Sequence, residues 1–224
     1  MQNLFYCCVV THIFAMTIWD KIYKEYKKAG KAWASLDEEI HPFFNKFLKI
    51  SDFKLKSVFD IGCGDGRYLK LLQLSGFNIA GIDSSETAIE MAKVILENKS
   101  AVTLADMYHY EIPKEKYDLI ISISALHHGK KSDIKNLIDT IYSVLVPNGK
   151  IFITIPDISC VETWNTFETL KEIEKGTFIP LSGPEKGLPH SFYTKEEIQK
   201  LFSIFKNLKL LIDKRGRWIV QASK

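Results

Sequence analysis

The sequence predicts an α/β fold built on a parallel sheet, and three features predict it. Between residues 58 and 154, short apolar runs alternate with segments of helical periodicity, the pattern of repeated βαβ units. A glycine-rich turn, Asp60-Ile61-Gly62-Cys63-Gly64-Asp65-Gly66, joins the first apolar run to the first of these helices. Near the C-terminus, residues 208–213 and 217–222 alternate around Arg215-Gly216 and predict an antiparallel hairpin.

Taken in order, the chain opens on an apolar stretch, residues 4–18, with Cys7, Cys8, Val9, Val10 and Phe14. It is too short and interrupted to span a bilayer, and it lacks the basic flank of a signal peptide. It either packs on the domain as a short element or precedes a start at Met16. Residues 19–31 suit an amphipathic helix, with Trp19, Ile22, Tyr23 and Tyr26 on one face and lysines opposite. A second helix is expected over 36–50, with Ile40, Phe43, Phe44, Phe47 and Leu48 inward and Pro42 near its start. Residues 1–50 thus read as an N-terminal segment and helical cap on a domain formed by 51–224.

The first strand is Lys56-Ser57-Val58-Phe59, and Tyr68, Leu69, Leu71 and Leu72 recur at helical spacing after the glycine turn. Residues 78–83 form the second strand, followed by a helix over 86–98 capped by Ser84 or Ser85. After the strand at 117–122, a helix over 133–145 is capped by Ser132. Residues 155–193 lose the pattern and carry Gly176, Pro180, Gly183, Pro184, Gly187 and Pro189, which reads as an insert covering the cleft. Thr194 and Glu197 make a capping box for a helix running through Phe205.

The 224 residues, 46% of them hydrophobic, suffice for one sizeable core and a cap. A net charge of +3 is too mild to imply a nucleic-acid partner. Cys7, Cys8, Cys63 and Cys160 show neither zinc-ligand spacing nor a disulfide framework, which fits a reducing, cytoplasmic setting.

The glycine turn is the most informative segment. A tight turn there lets backbone approach a ligand, with helix N–H groups aimed at it. A nicotinamide fingerprint counted from Gly62 would need glycine or alanine where Arg67 stands. Asp60 and Asp65 would repel a pyrophosphate but not a ligand carrying an ammonium and a sulfonium.

The turn resembles motif I, (D/E)-x-G-x-G-x-G, of the class I S-adenosylmethionine-dependent methyltransferases. The resemblance continues through Asn78-Ile79-Ala80-Gly81-Ile82-Asp83, Ala105-Asp106-Met107 and Tyr117-Asp118-Leu119-Ile120-Ile121-Ser122. It ends with Leu145-Val146-Pro147-Asn148-Gly149-Lys150-Ile151-Phe152-Ile153, where Asn148 replaces a commoner glycine and tolerates the same positive φ. The ordered match runs from about residue 56 to 157. It implies a Rossmann-like, mostly parallel seven-stranded sheet with helices on both faces, and methyl transfer from S-adenosylmethionine, leaving S-adenosylhomocysteine.

By that resemblance, Asp60, Gly62, Cys63, Gly64, Arg67, Asp83, Ser84, Asp106, Met107 and Ser124 surround the donor. Gly62 and Gly64 approach its methionine part, Asp60 helps hold the ammonium and Asp83 takes the ribose hydroxyls. Asp106 and the Met107 backbone meet the adenine, and Trp19 and Tyr23 close over the cofactor. The bland alternatives are a loop-filling Cys63, a helix-capping Asp83 and a turn-forming Asp106. His127, His128 and His190 are the candidate general bases, with packed or hydrogen-bonded histidines as the alternative. No metal is expected, because adjacent residues such as His127 and His128 on a strand point to opposite faces.

The segment after strand four, Ser124-Ala125-Leu126-His127, lacks the N/D-P-P-Y/F signature of DNA amino-methylating enzymes and the Pro-Cys of cytosine-C5 enzymes. The run Ile121-Ser122-Ile123-Ser124-Ala125-Leu126-His127-His128 resembles that of small-molecule methyltransferases, which implies a small-molecule acceptor; it also resembles that of wobble-uridine tRNA methyltransferases, and a non-catalytic cofactor-binding subunit is a further alternative. Lys130-Lys131 and Lys214-Arg215-Arg217 are the only basic clusters, and ordinary solvated loops explain them. Trp33, Trp164, Phe178, Phe192 and Tyr193 either wall an acceptor pocket or belong to the core. The sequence leaves the acceptor and the oligomeric state open.

Overall fold

A computed structural model describes residues 18–29, 40–54, 56–114, 116–165 and 169–224. The apolar 4–17 stretch, the alternative start at Met16, Trp33 and the 36–39 part of the expected second helix lie outside the described residues. Helix α1 is described over residues 18–29. Then follow α2 (Pro42–Ile50), β1 (Ser57–Ile61), α3 (Arg67–Leu74), β2 (Asn78–Asp83), α4 (Glu86–Ile95) and β3 (Val102–Leu104). The chain continues through β4 (Tyr117–Ser122), α5 (Lys131–Val144), β5 (Leu145–Pro156), α6 (Cys160–Asn165), β6 (Leu170–Glu174), β7 (Thr177–Pro180) and β8 (His190–Ser191). It ends with α7 (Lys195–Leu201), β9 (Lys206–Ile212) and β10 (Arg217–Ser223).

Seven strands form one sheet in the order β3-β2-β1-β4-β5-β10-β9. The first five are mutually parallel, while β10 runs antiparallel to both β5 and β9. The chain order reverses between β1 and β4, which is where open α/β sheets place their ligands, outside the carboxyl ends of the strands. The α/β expectation and the terminal hairpin are both met.

Alternation along each strand divides the core into two layers. Phe59, Ile61, Ile82, Ile120, Ile151 and Ile153 face a cluster with Ile134, Ile138 and Ile141 of α5 and Ile198 of α7. Val58, Ile79, Leu119, Ile121 and Phe152 face Phe44, Phe47, Leu69, Leu72, Ile89 and Ala92, from α2, α3 and α4. Both faces of β1 and β4 are thus covered, as parallel strands require.

Several boundaries differ from expectation. Helix α2 starts at Pro42, which cannot donate and so suits the first turn, and His41 Nδ1 accepts from Phe43 N at 3.3 Å. Ser85 caps α4 by accepting from Ala88 N, and the helix ends at Ile95 because Leu96 turns extended. Ser132 does not cap α5. The helix begins at Lys131, whose N–H donates to Glu174 Oε1 at 2.8 Å, so a carboxylate from a distant strand supplies the cap. Thr194 and Glu197 form the expected capping box, though α7 stops at Leu201.

Residues 155–193, read as an insert covering the cleft, contain α6 and a second, three-stranded antiparallel sheet, β6-β7-β8. This sheet is tied to the loop after β4, since Ser191 N donates to His127 O at 2.9 Å and Ser191 Oγ to Gly129 O at 2.7 Å.

Candidate active site at the mouth of the parallel sheet

The glycine loop is fastened to the second strand. The N–H groups of Gly62 and Cys63 both donate to Ile82 O, each at 2.9 Å. Gly62 has φ +76, and a Cβ there would lie 2.3 Å from Ala125 Cβ; Gly64 has φ +55, and a Cβ there would lie 2.4 Å from Tyr23 Oη. Both positions combine a left-handed backbone with close approach, which favours glycine, most strongly at Gly62, where the neighbour is a short side chain. Cys63 is buried, and burial pushes its thiol well above the ordinary range, which suits a packed side chain rather than a nucleophile.

Two buried carboxyl groups face this loop. Asp83, at the end of β2, accepts from Gly64 N at 2.8 Å on Oδ2 and from Ser85 N at 2.9 Å on Oδ1. The Ser84 main chain also bonds this carboxylate, which still keeps a lone pair to offer. Burial outweighs these bonds and raises the carboxyl to about 6. Asp60 is 3% exposed, and none of the described residues hydrogen-bonds its carboxyl. Burial, then the charges of Asp83 and Asp65, push Asp60 well above the carboxylate range. A buried acid that takes no hydrogen bond from the described residues fits a ligand that brings a cation. An acid with spare lone pairs beside bare main chain fits ribose hydroxyls. The residues present therefore suit S-adenosylmethionine.

Asp65 does not belong to this pair. Arg67 grips it through Nε on Oδ1 at 3.0 Å and Nη2 on Oδ2 at 2.8 Å, and Tyr26 donates to it at 3.3 Å. The negative charge available to a ligand comes from Asp60 and Asp83, and Arg67 is committed to Asp65.

Helix α1 closes one side. Asp20 Oδ1 accepts from Thr87 N at 2.9 Å and from Ser85 Oγ at 3.3 Å, so α1 supplies a second cap to α4. Against the upward push of burial, Lys24 and Thr87 draw Asp20 down to about 2. Tyr23 then lies over Gly64, and the Trp19 ring stands edge-on to His128 with centroids 4.7 Å apart. Asp20 carried no motif that sequence reasoning uses, because its role depends on where α1 docks.

The third-strand residues adopt a turn. Asp106 Oδ1 accepts from Tyr108 N at 2.8 Å, while Met107 packs against the α5-side core. Ser84 lies half-buried between Asp83 and Ser85. Ser124, just past β4, takes φ +57; its N donates to Thr154 Oγ1 at 2.7 Å and its Oγ accepts from Arg217.

The expectation that His127 and His128 face opposite ways is overturned. They lie on a turn beyond β4, not on the strand, and their ring centroids are 3.9 Å apart. His190, delivered by β8, has its ring centroid 4.6 Å from that of His128 and 5.9 Å from that of His127. Burial, followed by the neighbouring imidazoles, holds His127 and His128 well below the ordinary imidazole range. Glu185, 5% exposed, puts Oε2 2.8 Å from His190 Nε2. Sequence reasoning missed Glu185, since a glutamate in a Pro/Gly loop looks solvated until the loop folds inward.

Comparison with known proteins agrees with this geometry. The sequence profile of a methyltransferase domain matches residues 32–205. An uncharacterized methyltransferase of Alkaliphilus oremlandii is 28% identical over 180 residues, covering 78% of this chain and 79% of that protein. A ubiquinone biosynthesis O-methyltransferase of Hydrogenovibrio crunogenus is 26% identical over 119 residues, 51% of this chain and 48% of that protein, so the chain spans about half the length of such relatives. The crystal structure of the PH0226 protein of Pyrococcus horikoshii shares the fold with a TM-score of 0.69 at 18% identity, covering 85% of this chain and 90% of that one. So does a Burkholderia thailandensis 1,6-didemethyltoxoflavin-N1-methyltransferase with bound 1,6-didemethyltoxoflavin and S-adenosylhomocysteine. Its TM-score is 0.63 at 13% identity, covering 93% and 88%. The profile match spans well over half of the chain, and with the sheet order and the Asp83-anchored glycine loop it assigns the protein to the methyltransferase domain family, as an S-adenosylmethionine-dependent methyltransferase.

Proposed function

We propose that this methyltransferase modifies a small molecule. The observation that carries the reading is the ring-lined wall beyond β4: Trp19, His127, His128, His190 and Trp164 pack ring against ring at the carboxyl end of the sheet. Such a wall suits a compact, partly apolar acceptor. A nucleic acid would need a free basic surface. The cations in the two basic clusters are partly spent inside the protein: Lys131 pairs with Glu197 at 2.7 Å and Arg217 with Asp213 at 2.8 Å.

Bound S-adenosylmethionine supplies a methyl group on a good leaving group, so the chain mainly has to align the acceptor and exclude water. In this reading Asp83 holds the donor's ribose, Asp60 its ammonium, and Tyr23 and Trp19 cover it. The buried nitrogens of the three histidines are the polar groups that take up the acceptor's hydrogen bond or proton. Among the described residues no helix is long and apolar enough to cross a membrane.

The test is transfer of labelled methyl from S-adenosylmethionine to fractionated cell extract. Label in the low-mass fraction is expected. Label in tRNA would favour the wobble-uridine reading, and saturable donor binding with no transfer would favour a non-catalytic subunit.

A further inference from the structure

Outside the donor site, the described residues hold one cluster whose hydrogen bonding is incomplete in a particular way. One ligand nitrogen each from His127, His128 and His190 lies within 4.8 Å of the others. Among the described residues, His127 Nδ1, His128 Nδ1, His190 Nε2 and Glu185 Oε1 are all buried and find no well-aligned hydrogen-bond partner. Buried polar atoms are almost always satisfied, and four such atoms together call for a missing partner.

The partners that do exist fix the tautomers. His190 Nδ1 lies 2.9 Å from Leu188 O, and a carbonyl only accepts, so the proton sits on Nδ1 and Nε2 presents a lone pair. His128 Nε2 lies 3.3 Å from Ser124 O, which likewise leaves its Nδ1 with a lone pair. Backbone carbonyls holding the far nitrogen are the usual second support of a metal-binding imidazole. His190 Nε2 then turns its lone pair toward the Glu185 carboxylate at 2.8 Å, which is repulsive unless a proton or a cation lies between them. A carboxylate so buried is seldom left without a counter-charge.

We propose that His127, His128 and His190 bind a divalent transition-metal cation, with the Glu185 carboxylate, beside His190, turning in to complete the site. Three imidazoles and one carboxylate suit zinc, iron, cobalt or nickel over magnesium or calcium. Ligand nitrogens about 2.0–2.1 Å from a tetrahedral ion stand roughly 3.3 Å apart, so separations of up to 4.8 Å have to close by as much as about 1.5 Å. The ligands come from two segments, the turn after β4 and the 180–191 loop with β8. A bound ion therefore clamps the small sheet to the large one, beside the existing Ser191 N to His127 O bond. The site stands on this geometry; where the ion is bound, these nitrogens are no longer free to take the acceptor's proton.

The full chain, stripped with chelator, should be titrated with Co²⁺ alone, reading the visible cobalt absorption and the quenching of tryptophan emission. Trp19 and Trp164 have ring centroids 4.7 Å from His128 and His190, within reach of a paramagnetic ion. One equivalent with an intense low-coordinate band is expected. His128→Gln and His190→Gln should each weaken binding by about tenfold or more, and Glu185→Gln by about 10- to 100-fold. His109→Gln, on an exposed turn, should change nothing. S-adenosylhomocysteine binding, measured by calorimetry on every variant without metal, reports folding and the donor site separately. Cobalt binding that is absent, or that survives all three cluster variants, would overturn the site while leaving the methyltransferase reading intact. Loss of binding in Glu185→Gln with donor binding retained supports it even if a histidine variant fails to fold.

Discussion

Asp83 Oδ2 accepts the Gly64 N–H at 2.8 Å, so the acid ending β2 and the glycine loop ending β1 form one rigid unit. The bond fixes the carboxylate's direction before any ligand arrives. It also ties the loop's left-handed backbone to the second strand, next to the bonds from Gly62 and Cys63 to Ile82 O.

Replacing Asp83 by Asn should weaken donor binding ten- to a hundredfold, the loss of charge-assisted bonds worth about 1.5–3 kcal/mol. Calorimetry with S-adenosylhomocysteine measures this. Unchanged affinity would show that the ribose is held elsewhere and that Asp83 serves only the loop.

The two glycines should differ in their tolerance. Gly62→Ala drives a Cβ to 2.3 Å from Ala125 Cβ, a short side chain that cannot rotate away. With the positive φ added, the cost should be about 3 kcal/mol or more. Gly64→Ala meets only the end of Tyr23, which can swing aside, so its cost should be nearer about 1–2 kcal/mol. Urea melts rank the two, and Ala125→Gly should restore part of the Gly62→Ala loss but none of the Gly64→Ala loss.

Donor-free protein should lose stability as pH rises through the window between the unfolded aspartate value of about 3.9 and the folded Asp83 value of about 6. In that window the folded chain holds a proton that the unfolded chain has released, so the slope is negative and the loss is about 3 kcal/mol for the two-unit shift. The raised Asp60 adds to it in the same direction. A cationic donor favours the ionised acids, so its thermal stabilisation should grow between roughly pH 5 and pH 7. Scanning fluorimetry with and without S-adenosylmethionine tests this, and Asp83→Asn should flatten much of the trend. A donor effect independent of pH in the parent protein would contradict it.

Asp213 should behave in the opposite sense. Its carboxylate takes His41 Nε2 at 3.2 Å, Arg217 Nε at 2.8 Å, and the N–H groups of Arg215 and Arg217 at 2.8 and 2.9 Å. Burial pushes its pKa up, but His41 and Arg217 prevail and hold it well below the usual range. Its stabilisation is present above the unfolded aspartate value and disappears as pH falls through the folded one. Asp213→Asn should therefore cost about 3 kcal/mol near neutrality and progressively less in acid. Denaturant midpoints across that range provide the measurement.

Much of the fold was legible because it is locally encoded. Alternating periodicities specify the βαβ units, Thr194 and Glu197 make their box within a single turn, and Asn148 adopts the positive φ of 65 that its side chain tolerates. Helix starts were less legible where the cap is remote: Glu174 reaches the first turn of α5 from 43 residues away, and no window around Ser132 contains that information.

The sequence by itself determined the sheet, the glycine turn and the acid at the end of β2, since each follows from backbone preference or from residues at short spacing. Tertiary structure alone decided which charges meet the ligand and which are spent. Arg67 folds back on Asp65, Asp20 caps a helix 67 residues downstream, and His190 arrives beside His127 and His128 from another sheet with Glu185 against it. The physical reason is range: dihedral preference and periodicity act over a few residues, whereas burial and Coulomb pairing act between surfaces that touch only after the chain has closed.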